Sequence, residues 1–307
     1  MRVSLSEPTR HHYLPEFYLA RWTTNGELWR FLRPRGPDFD LHAKRVAPKA
    51  IGFQPNLYAY PRPADPRDRQ TIEADFLQQI DSKGAAAIRR LEMGKAATPN
   101  DKAHVVQFLL SLIHRTPGRI EFLQTELRDR LPKDLNPERL PDEFFRHSAL
   151  EVFTDLVASD VMISELVRFY VFFVTVGDNQ HRLMTSDRPI IISDGLHHDQ
   201  SFVMLPLSPD KLLILAKKSS VPEAFASQPT AKLITAINDA VVVQAETLAI
   251  GNKISDRRFI GKRLQRSKLN ADDIKSDGLV RWRAPTSLGG SFSIGRGRGR
   301  PSAAGTG

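Results

Sequence analysis

The chain has 307 residues, 41% of them hydrophobic and 26% charged, and its lack of cysteine excludes disulfides, thiolate zinc sites, iron–sulfur clusters and cysteine nucleophiles. The formal net charge is +9, and residues 251–307 carry all of the excess, with 13 Lys or Arg against 4 Asp or Glu. Because residues 1–250 hold 31 charges of each sign, the basic character that is typical of nucleic-acid binding belongs to the C-terminal fifth and not to the body.

The N-terminal segment 11–22 is the most distinctive stretch, because it combines two adjacent histidines with several aromatic residues around Pro15. A residue that precedes proline favours an extended backbone, and proline suits the first turn of a helix, so we predict an extended segment that turns into a helix at Pro15. Residues 1–10 contain no apolar signal-peptide core, and no apolar run is long enough to span a bilayer. We therefore expect a cytoplasmic protein that does not contact a membrane.

His11 and His12 are neighbours, so in an extended segment their side chains point to opposite faces and at most one of them enters a pocket. We take His12 as the candidate catalytic histidine, because a neutral imidazole can bind a ligand or carry a proton near neutral pH. The alternative is a structural histidine that is hydrogen-bonded to the backbone.

The middle of the chain predicts a cluster of helices, preceded by a strand over 27–32. Thr98, Pro99 and Asp101 suit the N-cap, first and third positions of one helix, which ends before Pro117. Apolar residues at helical spacing predict the other helices over 71–93, 119–131 and 142–166.

The pattern then changes to strands, with 177–180 read as a hairpin connection between the first two of them. A last long helix is predicted over 230–249, in which Asn238 is expected to hydrogen-bond a strand edge. The strands are predicted over 168–176, 181–185, 189–193, 201–206 and 211–216. This order predicts an α+β fold, with a central helical cluster packed on a later antiparallel sheet.

Glu73 is the most informative carboxylate, because it lies near the centre of the apolar stripe formed by Leu77, Ile80, Gly84 and Leu91. A buried carboxylate is costly unless it is paired, so Glu73 is a candidate metal ligand or a general base with a raised pKa. The alternative is a residue at the helix end that reaches solvent or accepts a hydrogen bond from a nearby backbone N–H.

Three further polar residues end predicted elements. Asp187 follows a short apolar strand and is a candidate catalytic carboxylate, which Ser186 could help orient. The alternative interpretation is structural: an Asx or Ser/Thr turn ahead of Pro189. Arg115 ends the second helix and could bind a phosphate or carboxylate with two parallel hydrogen bonds. Its alternative is a cation that complements the dipole at the helix C-terminus.

The C-terminal segment is rich in glycine, serine and arginine. We place one domain at residues 1–283 and a disordered tail at 284–307. Arg296, Arg298 and Arg300 alternate with glycine, and such segments can enter a narrow minor groove of DNA or bind RNA without sequence preference. The alternative is a cationic tail without a dedicated partner.

Seven segments occur in order between about residues 10 and 250: His11–Leu19, Phe53–Tyr60, Ile72–Leu91, Arg115–Pro117, Met184–Pro189, Leu205–Pro209 and Asn238. Together they resemble a bacterial family known as domain of unknown function 4238. The chain departs from the family's pattern at Arg188, where a small polar residue is expected, and at Glu16, where glutamine is usual. The resemblance implies family membership and candidate positions, and it implies no activity.

The sequence contains no phosphate loop, nucleophile elbow or dinucleotide-binding fingerprint. Our first hypothesis is a phosphodiester hydrolase in which His12, Glu73 and Asp187 hold a divalent metal such as magnesium and activate water, while Arg115 and Ser186 bind the substrate. The alternative is a non-catalytic module that binds a protein or small ligand and is tethered to DNA or RNA by its tail. A third possibility is that these polar residues only stabilise the fold.

Overall fold

Helices fill the middle of the chain and strands its later part, which confirms the α+β prediction. The computed structural model describes residues 10–131, 137–176, 181–193, 195–228 and 230–265, together with two strand segments at 281–283 and 293–294. The helices are α1 (Glu16–Ala20), α2 (Gln78–Glu92), α3 (Pro99–His114), α4 (Pro117–Asp129), α5 (Asp142–Val157), α6 (Asp160–Leu166), α7 (Ser220–Ala226), α8 (Thr230–Val243) and α9 (Arg257–Gly261).

The strands form three sheets. They are β1 (Arg10–His12), β2 (Leu28–Leu32), β3 (His42–Val46), β4 (Phe53–Pro55), β5 (Tyr170–Thr175), β6 (Thr185–Ser186), β7 (Ile191–Ser193), β8 (Phe202–Ser208), β9 (Lys211–Ala216), β10 (Leu248–Gly251), β11 (Arg281–Arg283) and β12 (Ser293–Ile294). The sheet orders are β1-β4, β3-β2-β10-β6 and β12-β11-β7-β8-β9-β5. All neighbours are antiparallel except β11, which runs parallel to β7, so the later sheet is not purely antiparallel.

Two helix starts show how local chemistry positions the helical cluster. At Thr98 the predicted N-cap is confirmed, because the Asp101 N–H donates to Thr98 Oγ1 over 3.1 Å and the Thr98 N–H donates to Asp101 Oδ2 over 2.9 Å. The helix predicted over 142–166 is instead two helices, because the Ser159 side chain caps a new start at α6 by accepting the Met162 N–H.

The helix predicted over 71–93 begins with a π-helical turn, Ile72–Leu77, before it continues as α2. A π-turn inserts extra backbone into the helical register, and such turns are frequent at functional sites. Downstream, α2 packs closely on α3 at Gly84, where an added Cβ would lie 2.8 Å from the Phe108 Cβ. Glu73 therefore lies in the π-turn, ahead of the part of the helix that packs tightly on α3.

The predicted pairing of the first two later strands is wrong. Residues 181–185 do not return against 168–176; β5 pairs with β9, and β6 pairs with β10 in a different sheet. The supposed hairpin connection at 177–180 lies outside the described residues. Both partner strands, β9 and β10, are almost wholly buried, so core burial decides the pairing over proximity in sequence.

The last long helix also ends earlier than predicted, at Val243, and the chain then enters β10 in the middle of the four-stranded sheet. Asn238 of α8 does hydrogen-bond the backbone that leads into β6, as predicted. Its Oδ1 accepts the Met184 N–H over 2.7 Å, and its Nδ2 donates to the Arg182 carbonyl over 2.9 Å.

The tail predicted over 284–307 lies outside the described residues except for Ser293–Ile294, which forms β12. The predicted nucleic-acid contacts Arg296, Arg298 and Arg300 also lie outside them. Among the described residues, no helix is long and apolar enough to cross a membrane.

Candidate functional site

The predicted site residues separate into two groups. His12, Glu73 and Arg115 lie together with Asp81, and we call these four residues the Arg115 cluster. It forms where β1, the π-turn, α2 and the C-terminal end of α3 meet. The second group surrounds Asp187 at the end of β6 and is described below.

Arg115 is fully buried and only partly hydrogen-bonded. Its Nη1 donates to both carboxylate oxygens of Asp81, over 3.0 and 3.2 Å. Its backbone carbonyl accepts the hydroxyl of Tyr58, and its guanidinium lies 5.9 Å from the Phe108 ring centroid. The Nε and Nη2 atoms have no hydrogen-bond partner among the described residues, so one edge of the guanidinium is left for another acceptor.

Glu73 joins the cluster through the backbone of His12, whose N–H donates to Glu73 Oε1 over 3.2 Å. The other oxygen, Oε2, is buried and has no hydrogen-bond partner in the described structure. Burial raises the pKa of Glu73 to about 7, although the His12 N–H and the positive charge of Arg115 oppose that shift. The sequence offered two alternatives for Glu73: a carboxyl with a raised pKa, or an acceptor for a backbone N–H. Both descriptions apply, since Glu73 accepts a backbone hydrogen bond and also has a strongly raised pKa.

His12 shows the opposite shift. Burial lowers the pKa of His12 below its ordinary value of 6.5, and the neighbouring carboxylate of Glu16 opposes this from 3.6 Å. The ring is therefore neutral near pH 7. Its buried Nε2 is the atom that lies 3.6 Å from Glu16 Oε1, which is beyond hydrogen-bonding distance, and it has no hydrogen-bond partner among the described residues. The Glu73 carboxyl thus lies at the backbone of His12, and the charge of Arg115 acts on both Glu73 and the His12 ring.

His11 occupies the other face of β1, as the alternation predicts, and it is fully buried. Its Nδ1 accepts the Tyr58 N–H over 2.8 Å, and its ring stacks on Tyr58 with 5.6 Å between the ring centroids. Tyr58 therefore links His11 to the backbone of Arg115 and holds the N-terminal segment against the end of α3.

Asp187 is buried, and both oxygens of its carboxylate accept backbone hydrogen bonds. Oδ1 accepts the Glu246 N–H over 2.9 Å, and Oδ2 accepts the N–H groups of Thr247 and Leu248 over 2.7 and 2.9 Å. Burial and the nearby charge of Glu246 raise the pKa of Asp187, and these backbone donors oppose the shift. The arrangement anchors the start of β10, because the backbone donates hydrogen bonds to both oxygens of Asp187.

The neighbours of Asp187 form a second closed network. Ser186 Oγ accepts the Arg188 N–H over 3.2 Å, which is the predicted Ser/Thr turn. The Arg188 guanidinium pairs with Glu246. Glu246 also accepts from the Thr116 hydroxyl over 3.1 Å and the Gly118 N–H over 3.3 Å, at the N-terminus of α4. The family departure at Arg188 therefore supplies a charge partner for Glu246.

The sequence reasoning missed Asp81, Glu246 and Tyr58. Asp81 had a readable signal, since it lies eight residues after Glu73 and so close to the same helix face. Glu246 had none, because it lies in a segment predicted to be helical. Among the described residues, no three His, Asp or Glu side chains are grouped so that they could hold a metal ion. His12, Glu73 and Asp187 therefore do not form such a group, and their assignment as catalytic residues stays a prediction.

The comparisons with known proteins agree with the ordered segments of the sequence. The model of a family described as "Protein of unknown function (DUF4238)" matches residues 10–255, which include both the Arg115 cluster and Asp187. No curated protein and no solved structure matches the chain.

Proposed function

Because the chain belongs to the DUF4238 family, which is defined by sequence and not by an activity, we propose a function from the Arg115 cluster itself: hydrolysis of a small phosphodiester by proton transfer. One observation supports this proposal. Arg115, Glu73 and His12 each present buried polar atoms without a described hydrogen-bond partner, and these atoms are cationic donors, a carboxyl oxygen and a neutral imidazole nitrogen. A buried polar group without a protein partner binds ordered water, an ion or a ligand, or it serves a reaction. Three such groups of complementary chemistry in one cluster favour the last two roles.

The reaction assigns one role to each of these groups. The free edge of Arg115 binds the non-bridging phosphate oxygens and stabilises the charge that develops on them. Neutral His12 Nε2 takes a proton from water as the water oxygen bonds to phosphorus. Protonated Glu73 gives its proton to the leaving ester oxygen as the bond between that oxygen and phosphorus breaks. The products are a phosphomonoester and an alcohol.

Asp187 and Ser186 take no part in this scheme, because their polar atoms are engaged in the network around Glu246. Magnesium is not assigned a role, because the described residues offer it no group of three ligands. The cytoplasmic location stays a prediction, as does the non-catalytic alternative. The non-catalytic alternative needs only Arg115 to bind the ligand. A protein of that kind would bind phosphate without hydrolysing a phosphodiester.

The pH dependence of turnover tests the assignment. Activity requires protonated Glu73, which is lost as the pH rises through about 7, and neutral His12, which is lost below its lowered pKa. We expect a bell-shaped profile for hydrolysis of bis(4-nitrophenyl) phosphate in EDTA, with its maximum on the acidic side of neutrality. Glu73→Gln should lower the rate about 100-fold and remove the alkaline limb.

His147→Gln is the matched control, since His147 lies outside the cluster and pairs with Glu151 on the surface of α5. It should leave the profile unchanged. Phosphate binding by the folded protein without turnover at any pH would contradict the hydrolase and leave the binding module. An alkaline limb that persists in Glu73→Gln would show that Glu73 is not the acid.

We further propose that the tail tethers the protein to DNA or RNA through Arg296, Arg298 and Arg300, as their alternation with glycine indicates. Binding of labelled duplex DNA and RNA should fall steeply as salt rises, because each phosphate contact releases counterions. The triple alanine variant should lower the salt slope by about 2 to 3 for three lost contacts. An unchanged slope would contradict the tether.

A further inference from the structure

A groove of about 550 Å³ lies between the loop that follows β2 and the segment 254–262, far from the Arg115 cluster in sequence. Phe39 lies on the loop side, and Ile254, Arg257, Arg258 and Lys262 line the other side. We call this feature the cationic groove. Its volume falls in the range of about 300–1,000 Å³ that is typical of ligand sites.

The charges of the groove are available to a ligand. Arg257, Arg258 and Lys262 are exposed, and no ion pair joins any of them to a described residue. Asp40 is the carboxylate among the lining residues, so the cations are in excess there. The groove is therefore complementary to a polyanion.

Hydrogen bonds join the two sides of the groove and also fix the backbone of the segment that begins at Asn252. Arg33, at the end of β2, donates from Nη2 to the Gly261 carbonyl over 3.1 Å and from Nη1 to the Leu264 carbonyl. Asp256 Oδ2 accepts the N–H groups of Asn252 and Lys253 over 2.7 and 3.0 Å. The cations thus project from a fixed segment, which limits the entropy lost when they bind.

The groove also exposes an aromatic ring. Phe39 is 49% exposed although it is a large hydrophobic residue, and Ile254, across the groove, is 50% exposed. The Arg35 guanidinium lies 5.9 Å from the Phe39 ring centroid. Burying these apolar side chains against a ligand would remove their surface from water.

We infer that the cationic groove binds single-stranded nucleic acid, with the phosphates on Arg257, Arg258 and Lys262 and a base stacked on Phe39. Proteins that bind single strands combine such a positive groove with aromatic rings, because every base has a face that can stack. An acidic peptide would pair with the cations but would not need the exposed ring. The inference adds a contact surface on the body to the proposed tail, and it does not depend on hydrolysis.

Salt-dependent binding of a short fluorescent oligothymidylate to the full chain separates the two kinds of contact. Phe39→Ala should weaken binding about tenfold with an unchanged salt slope, because stacking releases no counterions. Arg257→Ala should lower the slope by about 0.7, the value for one phosphate contact in a single strand. Phe144→Ala and Arg89→Ala are the matched controls, because both residues are exposed elsewhere, and neither should change the affinity.

Equal affinities for Phe39→Ala and Phe144→Ala would overturn the inference. Phe39→Leu guards against a folding artefact, since it keeps an apolar side chain and should still weaken binding. A further outcome is that polyglutamate displaces the oligonucleotide equally well from wild type and from Phe39→Ala. That result would assign the groove to an acidic protein and would also overturn the inference. Loss of all binding in the triple tail variant would place the binding in the tail and would also overturn the inference.

Discussion

Replacing Asp187 by alanine is expected to destabilise the protein by about 4–6 kcal/mol, the largest effect of any substitution considered for this chain. The carboxylate accepts the backbone N–H groups of Glu246, Thr247 and Leu248, and alanine would leave these donors unpaired at the start of a buried strand. An unpaired buried donor costs about 1–3 kcal/mol, and a small side chain cannot replace the lost acceptors. Urea denaturation followed by circular dichroism measures the change.

Asp187→Asn distinguishes an anchoring role from a catalytic one. The amide keeps one acceptor oxygen but turns an NH₂ group toward the backbone donors, so an intermediate loss of about 2–3 kcal/mol is expected. Asp199→Ala, which removes an exposed partner of Lys218, is the control and should change stability little. A fully stable Asp187→Asn variant without activity would contradict the anchoring role and support the catalytic role that the sequence predicts.

Local chemistry made part of the fold predictable. The helix start at Thr98 follows from three side chains that act within one turn, and the role of Asn238 follows from an amide placed on an apolar helix face. The sequence predicted one site made of His12, Glu73, Arg115, Ser186 and Asp187. Ser186 and Asp187 belong instead to the network around Glu246. The other three lie together in the Arg115 cluster, and each is a polar residue at the end of an apolar element or within its apolar stripe. These signals need no knowledge of distant pairing.

Long-range pairing was not predictable in the same way. The strand β10 lies between β2 and β6, which come from segments far apart in the chain, and a single sequence does not specify such register. Because the last helix was predicted to continue to residue 249, the turn that holds Glu246 was missed, and Asp187 was predicted to be a catalytic residue. The π-turn before α2 was also unforeseen, because apolar spacing alone does not separate it from an α-helix.

Arg115→Met is expected to destabilise the protein by about 2–4 kcal/mol, because it leaves the carboxylate of Asp81 without its buried cation. The lower value of about 2 kcal/mol allows for hydration of the unpaired carboxylate, because the Asp81 side chain is 23% exposed. Adding Asp81→Asn to Arg115→Met should recover at least half of the loss, since the unpaired charge is then removed as well. A double variant no more stable than Arg115→Met would show that packing, and not charge, accounts for the loss.

Arg115→Lys separates stability from ligand binding at the same position. Lysine keeps a positive charge for Asp81, but it lacks the second edge of the guanidinium, whose Nε and Nη2 have no described partner. We therefore expect the lysine variant to unfold within about 1–2 kcal/mol of wild type, while its affinity for inorganic phosphate falls about tenfold or more. If the cluster were purely structural, Arg115→Lys would change stability alone and phosphate affinity would stay as in wild type. The pair of measurements thus decides whether the free edge of Arg115 is a binding surface, which is the premise of the proposed hydrolase.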